Sequence, residues 1–261
     1  MSKMIKELFE KQKVLMIAGA ISLACFVILA FIAPFDSVQV LGINRWVKPM
    51  KFFVSTAIFV WTVAVFLYYL KDYKKSAFVI SWGMVLIFII EMSAVVLQAA
   101  RGTTSHFNVK EPFDGILFAV MGLFIVSNTL LVAYLLLLCF TAEIELPKSI
   151  VWGMRLGLIL FLAASFEGGY MSTQIGHSVG VADGGAGLPL VNWSSEGGDL
   201  RVAHFFGLHA FQAVPFFAYT LEKYNVKSPT VWTFAFALAY LSIFTFLLVQ
   251  ALDGQPLLKG F

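Results

Sequence analysis

Apolar residues fall in seven long runs, at approximately 14–35, 50–70, 76–99, 114–140, 150–171, 201–221 and 230–252, with polar or charged residues concentrated between them. A helix needs about 20 mostly apolar residues to cross a bilayer. Every run meets that length, is too long for a buried strand, and lacks the alternate-residue pattern of an outer-membrane barrel, so each is predicted to be a helix. The expected fold class is all-α, a polytopic transmembrane bundle of seven helices forming a single transmembrane domain over 1–261. Three connections are short and charged: Lys71-Asp72-Tyr73-Lys74-Lys75, Glu143 to Lys148, and Glu222 to Pro229. The other three, 36–49, 100–113 and 172–200, are longer and lie on the opposite side.

Composition names the solvent. The chain is 60% hydrophobic and 13% charged, against roughly 45–50% and 25% in soluble domains. With 27 phenylalanines and a mean hydropathy of +0.87, it needs a second solvent, the bilayer. The first run follows Lys3, Lys6, Lys11 and Lys13. It exceeds the roughly 7–15-residue core of a signal peptide and leads into no clean cleavage site, so an uncleaved first span is expected. With the N-terminus inside, ten lysines lie on the cytoplasmic side, and seven cations lie outside: Arg45, Lys48, Lys51, Arg101, Lys110, Arg201 and Lys259. This bias predicts N-in/C-out. A net charge of +3, scattered between apolar runs, fits contact with membrane lipids and excludes nucleic acid as a partner. Cys25 and Cys139 lie within apolar runs and read as small hydrophobes.

The connection 172–200 holds seven glycines, the turn Asp183-Gly184-Gly185, and the apolar pieces Leu188-Pro189-Leu190-Val191 and Trp193. Structureless connections of more than about 12–15 residues are functional or disordered, and disordered ones lack apolar anchors. An ordered Gly-rich extracytoplasmic lid loop is expected.

The four histidines, His106, His177, His204 and His209, all fall on the outer side in this topology, with Glu91, Arg101, Asp114, Glu167, Asp183, Asp199 and Arg201. Ionisable groups within a membrane mark functional sites by default. With Arg201 at zero on a helical wheel, Gln212 falls near about 20°, His204 near about −60° and His209 near about 80°, so the two histidines flank a polar stripe. Glu91 and Gln98 share a helix face seven residues apart, and an ionised Glu91 needs a cation partner at that depth. Glu167 adjoins Gly168-Gly169 near the outer end of the fifth run. Carboxylates beside imidazoles suit metal ligation or acid–base work, although salt bridges to Arg101 or Arg201 explain them equally. His106 is bracketed by Ser105, Phe107 and Asn108, whereas His177 sits in the lid. N-capping accounts for Asp114 and Asp199 without chemistry. Arg45, Lys48 and Lys51 surround the start of the second run, where a helix N-terminus and Pro49 make an anion site. Snorkelling lysines give the same pattern. Walker A, GxGxxG, GxSxG and HExxH motifs are absent, and no lysine in the seventh run supports a retinal.

The stretches Arg45-Trp46-Val47-Lys48-Pro49-Met50-Lys51-Phe52, Gln98 to Asn108, and Gly176 to Gln212 resemble a family of bacterial polytopic membrane proteins with no assigned activity. The resemblance implies a multi-pass protein of the bacterial inner membrane and adds no substrate.

Three functional readings follow from the residues. The first is a metal-dependent site at the extracytoplasmic mouth. His106, His177, His204 and His209 supply ligands for zinc or iron; Glu91, Glu167 and Asp199 form the carboxylate pool for acid–base catalysis; and Arg45, Lys48, Lys51, Arg101, Arg201, Gln98, Asn108 and Gln212 hold an anionic amphiphile. The second is a single-haem redox protein ligated by His209 with His106 or His177. The third is a non-enzymatic ligand-binding or accessory subunit of an oligomer or membrane complex.

Overall fold

The computed structural model describes residues 3–185 and 187–259, and these are helical apart from two short hairpins and the connections. The helices are α1 (Lys3–Lys11), α2 (Lys13–Ile32), α3 (Val47–Tyr69), α4 (Lys74–Ala100), α5 (Pro112–Thr141), α6 (Lys148–Thr173), α7 (Leu200–Lys223) and α8 (Pro229–Leu252). Six of them are long and apolar enough to cross a membrane: α2 with the 3-10 turn after it (Lys13–Phe35), α3, α4, α5, α6 and α8. The membrane class and multi-pass character follow from these six.

The seventh expected span differs. Residues 201–221 do form a helix, α7, but Arg201, His204, His209 and Gln212 dilute its apolar character, and it does not qualify as a span by composition. Helix α1 was not anticipated. Leu8 is its buried anchor, and the Tyr68 hydroxyl donates to Glu7 from α3.

The chain falls into two compact units, residues 1–131 and 132–261, with α5 contributing its first two-thirds to one and its last turns to the other. In the first unit, α2, α3 and α4 pack about Leu29, Phe53 and Met92, with Ala94, Val95 and Met121 forming a second apolar cluster. The hairpin β1–β2 (Gln39–Val40 and Ile43–Asn44) joins α2 to α3. Its two-residue turn puts Leu41 at φ 51° and Gly42 at φ 77°, the left-handed pair that tight hairpins require.

In the second unit α6 and α7 approach through small residues. A Cβ on Gly157 would lie 2.8 Å from the Ala210 carbonyl oxygen, one on Gly153 2.9 Å from Pro215 Cα, and one on Gly207 2.4 Å from Ala164 Cβ. Lipid tails are as apolar as leucine, so membrane helices associate through such close backbone packing. The Gly-x-x-x-Gly pair 153–157 puts both notches on one face of α6. Pro215 removes one backbone donor from α7 beside those notches. Helix α8 closes the unit through Phe244, Leu247 and Ala237.

The segment after α6 is folded. β3 (Ser178–Val179) pairs antiparallel with β4 (Gly198–Asp199), Gly187 bridges Ser194, and the Leu188 N–H donates to the Trp193 carbonyl at 2.8 Å. Gly198 lies so close to the Ala251 backbone on α8 that a Cβ there would sit 1.9 Å from its carbonyl oxygen.

The α6–α7 contact yields a matched test. Gly157→Ala forces a methyl group onto the Ala210 backbone and should destabilise the protein by about 1–3 kcal/mol. Gly169→Ala, one turn from the end of the same helix with nothing within 4 Å, should be neutral or stabilising by up to about 1 kcal/mol. Unfolding in detergent, followed by circular dichroism, checks both.

Candidate functional site

In the first unit the polar residues at the α2–α3 and α4–α5 connections form two linked networks. Asp36 accepts from the Val38 N–H at 3.0 Å, from Arg45 Nε at 2.7 Å and from Trp46 Nε1 at 2.8 Å, with Arg45 Nη2 at 2.5 Å. The Val38 N–H first, and then Arg45 and Trp46, outweigh burial and hold the Asp36 carboxyl below its ordinary value. Asn44 Nδ2 donates to the Ala33 and Asp36 carbonyls at 3.0 and 2.5 Å. Arg45 Nη1 reaches the Ala100 carbonyl at 2.9 Å, so this one guanidinium ties the hairpin to the C-terminal end of α4.

The second network surrounds Asp114 at the start of α5. Gln98 Nε2 donates to Asp114 Oδ1 at 2.9 Å, Asn108 Nδ2 to Oδ2 at 3.0 Å, and Arg101 pairs with the same carboxylate while also donating to Gln98 Oε1 at 2.6 Å. Gln98 and Asn108 are almost fully buried, which leaves these contacts as what satisfies them. His106 stands nearby in sequence, its Nδ1 3.2 Å from Lys48 Nζ and 3.0 Å from Ser105 Oγ, with the Phe52 ring edge-on at 5.6 Å. An ammonium only donates, so Nδ1 of His106 is the accepting nitrogen. Lys51 is half-buried at the start of α3. Glu91 is buried within α4, and its Oε1 has no hydrogen-bond partner among the described residues.

In the second unit Asp199 caps α7, accepting from the Arg201 N–H at 3.0 Å and the Ser194 N–H at 2.8 Å. Arg201 donates to it again through Nε at 2.9 Å and Nη2 at 2.6 Å, and also reaches the Asn192 carbonyl. His177 is buried, with Nδ1 3.2 Å from Ser178 Oγ, 3.3 Å from Asp183 Oδ1 and 3.8 Å from Asp199 Oδ1. Burial alone would raise the Asp183 carboxyl, but Ser178, the His177 ring and the two backbone N–H groups hold it below its ordinary value.

His204 and His209 separate. His204 Nδ1 lies 2.9 Å from both the Ala164 carbonyl and Glu167 Oε2 on α6. A carbonyl oxygen only accepts, so Nδ1 must carry the proton, and in the neutral ring Nε2 keeps a bare lone pair. Gly168 makes room for the ring, since a Cβ there would stand 2.5 Å from His204 Cε1. Glu167 is buried, and its second oxygen, Oε1, has no partner among the described residues. His209 Nδ1 donates to its own helix at the Phe205 carbonyl, 2.8 Å, and its ring lies over Phe205 with centroids 4.2 Å apart. Gln212 is half-buried one turn further along α7.

Within the second unit His177, His204 and His209 take separate partners. Among the described residues no group of three or more His, Cys, Asp or Glu side chains is placed to hold a metal ion. Each ring has its own partners instead. The candidate residues that the structure brings together are Glu167 and His204, on different helices, Asp199 and Arg201 at the start of α7, and Gln98, Arg101 and Asn108 around the Asp114 carboxylate. Sequence reasoning did not single out Asp36 as the partner of Arg45. Its signal was a lone acid immediately after an apolar run, at the head of a connection that carries two cations, Arg45 and Lys48. The Ala164 carbonyl, which settles the tautomer of His204, has no signature in a sequence at all.

Comparison with protein-family models, with curated proteins and with solved structures yields no match.

The depressed Asp36 carboxyl sets a pH dependence. A carboxyl held below its ordinary value of 3.8 in the folded state stabilises the fold fully above that value, and the contribution is lost as pH falls through the depressed one. The stability difference between wild type and Asp36→Asn should be constant from pH 7 to about pH 5 and shrink toward zero as both are acidified below about pH 3. Melting temperatures across that range measure it.

Proposed function

We propose that the chain is a multi-pass protein of the bacterial inner membrane, N-terminus inside and C-terminus outside, that binds a membrane-soluble ligand through His204 and Glu167 at the α6–α7 seam. The carrying observation is the pair itself: an imidazole whose Nδ1–H is held by a buried carboxylate and a backbone carbonyl, beside a carboxylate oxygen with no partner among the described residues. A carboxylate behind an imidazole fixes its tautomer and ring orientation, and so prepares the opposite nitrogen for an incoming group. His204 Nε2 and Glu167 Oε1 are both acceptors in this state. The ligand class that fits is an amphiphile presenting hydrogen-bond donors, a hydroxyl or an amine. An anionic amphiphile is less well served, because Arg45, Arg101 and Arg201 each already carry an aspartate. The fold of 176–199, leading straight into the first turn of α7, supports its role as the lid over this seam. Binding, rather than catalysis, needs only these two groups.

One observation favours a second reading. An imidazole with Nδ1–H held by a carboxylate or carbonyl is oriented as metal-bound histidines are. A zinc ion, an iron ion or a haem iron would then take His204 Nε2, with its other ligands supplied by a bound molecule or a partner subunit.

Nitrogen-15 spectra of histidine-labelled protein in detergent test the primary reading, with His204→Gln identifying the signal. The Nδ1–H tautomer should be found for His204, and 1-octylglycerol should shift its Nε2 resonance while octyl phosphate leaves it unmoved. An Nε2–H tautomer, or a response to octyl phosphate alone, would overturn the proposal. A Soret band, or about one equivalent of zinc or iron that His204→Gln removes, would establish the second reading instead.

A further inference from the structure

The chain has four arginines. Arg45, Arg101 and Arg201 each carry an aspartate. Arg155, on α6, pairs with no acid among the described residues. Its Nε donates to the Cys139 carbonyl at 2.9 Å. That carbonyl is one of the last four of α5, which a helix end leaves without an intrahelical donor. The Phe140 and Trp152 rings lie against the guanidinium, their centroids 4.7 and 5.0 Å from Cζ, in cation–π contact. These contacts fix the group through Nε and its flat face. The two Nη groups hold four more N–H donors, and these make no hydrogen bond or ion pair with the described residues.

Capping α5 needs only the Nε donor, so the Nη edge asks for another explanation. Arg155 lies seven residues into α6, about 10 Å along its axis. Side chains on a helix lean toward its N-terminus, and a long cation near the end of a span reaches for the polar boundary of the bilayer. At that level the paired oxygens of a phosphate match the guanidinium fork. The rest of the same helix face shows what carries the phosphate. Residues 148, 152, 155, 159, 162 and 166 fall within about 40° of one line along α6. Lys148 and Trp152 stand on the head side of Arg155; Ile159, Leu162 and Phe166 follow it, with Ile159 42% and Phe166 77% exposed. Cations at the head and an apolar track below them match the phosphate and acyl chain of a lipid. Glu143 and Glu145, in the connection before α6, balance the charge of Lys148 and Arg155. The face is therefore built to read a phosphate, not the net charge of a headgroup.

We propose that α6 holds a site for one glycerophospholipid, with both Nη groups of Arg155 on the phosphodiester, Lys148 beside it, and an acyl chain along Ile159, Leu162 and Phe166. Phosphatidylethanolamine and phosphatidylglycerol share the phosphodiester and both fit. The site uses neither His204 nor Glu167, so either reading can fail without the other.

Carbon–phosphorus dipolar recoupling on the full chain tests it, in vesicles of these two lipids without phosphate in the buffer and with the arginine Cζ atoms labelled with carbon-13. One guanidinium signal should be dephased by lipid phosphorus, and Arg155→Lys, which keeps the charge and a donor for Cys139, should remove that component alone. By native mass spectrometry, wild type should retain one phospholipid of either headgroup in preference to a diacyl galactolipid, which has no phosphate. Arg155→Gln should lower that retention by about tenfold or more, and Phe166→Ser, which leaves the Arg155 contacts in place, should lower it as well. If no guanidinium of the wild type meets phosphorus, or the dephased signal survives Arg155→Lys, Arg155 serves only to cap α5 and the proposal fails. Release of the retained lipid by inorganic phosphate alone would also sink it, because the acyl track would then contribute nothing.

Discussion

The second unit depends on how closely α6 and α7 lie together. Gly153, Gly157 and Gly168 on α6 and Gly207 on α7 remove the side chains that would hold the two backbones apart. That approach decides where the polar groups of α7 go. At this separation the His204 ring slides over Gly168 and reaches both the Ala164 carbonyl and Glu167. A wider seam would leave Glu167 buried with neither oxygen satisfied, which a membrane protein tolerates poorly. The same contact gives His204, one of the polar residues that keep α7 from qualifying as a span by composition, its partners on α6.

A second theme is the pairing of Arg45, Arg101 and Arg201 each with an aspartate at a helix end. Arg45 and Asp36 lock the β1–β2 hairpin to α4, Arg101 and Asp114 lock α4 to α5, and Arg201 and Asp199 lock the start of α7 to the folded segment before it. In each case a charged pair organises a connection, and little charge is left over for a ligand. Among the imidazoles, His204 keeps an acceptor edge at Nε2, because its Nδ1–H is taken by Ala164 and Glu167. Arg155 is built the other way, held by a carbonyl and two rings with no acid among the described residues.

The spans were legible because length and hydropathy are enough to define them. Every helix from α2 to α8 begins and ends within three residues of the predicted run. Helix α1 escaped because a search for long apolar runs passes over nine residues in which Met4, Ile5, Leu8 and Phe9 are interspersed with lysines and glutamates; only Leu8 is buried. Helix α7 forms where the run predicts it but does not qualify as a span by composition, since Arg201, His204, His209 and Gln212 lower its average hydropathy. The residues named as candidates were largely those that the structure engages in hydrogen bonds or ion pairs, yet their pairing was not legible. Whether His209 joins His204 or turns back to Phe205 depends on a rotamer and a carbonyl four residues earlier. Periodicity places a residue on a face and is silent about its partner. Asp36 and the Ala164 carbonyl were missed for the same reason.

Cross-linking across the seam tests the central claim most directly. Gly153 and Ala218 face each other so closely that a Cβ on the glycine would lie 3.0 Å from that of the alanine, near the roughly 3.5–4.5 Å of a disulfide. In a background with Cys25 and Cys139 replaced by serine, Gly153→Cys/Ala218→Cys should oxidise rapidly and nearly completely in the membrane, as read by the loss of free thiol. If the pair stays reduced while Gly157→Cys/Ala218→Cys, a pairing one turn away, oxidises in its place, then α6 and α7 meet in another register and the seat of His204 on Gly168 is wrong.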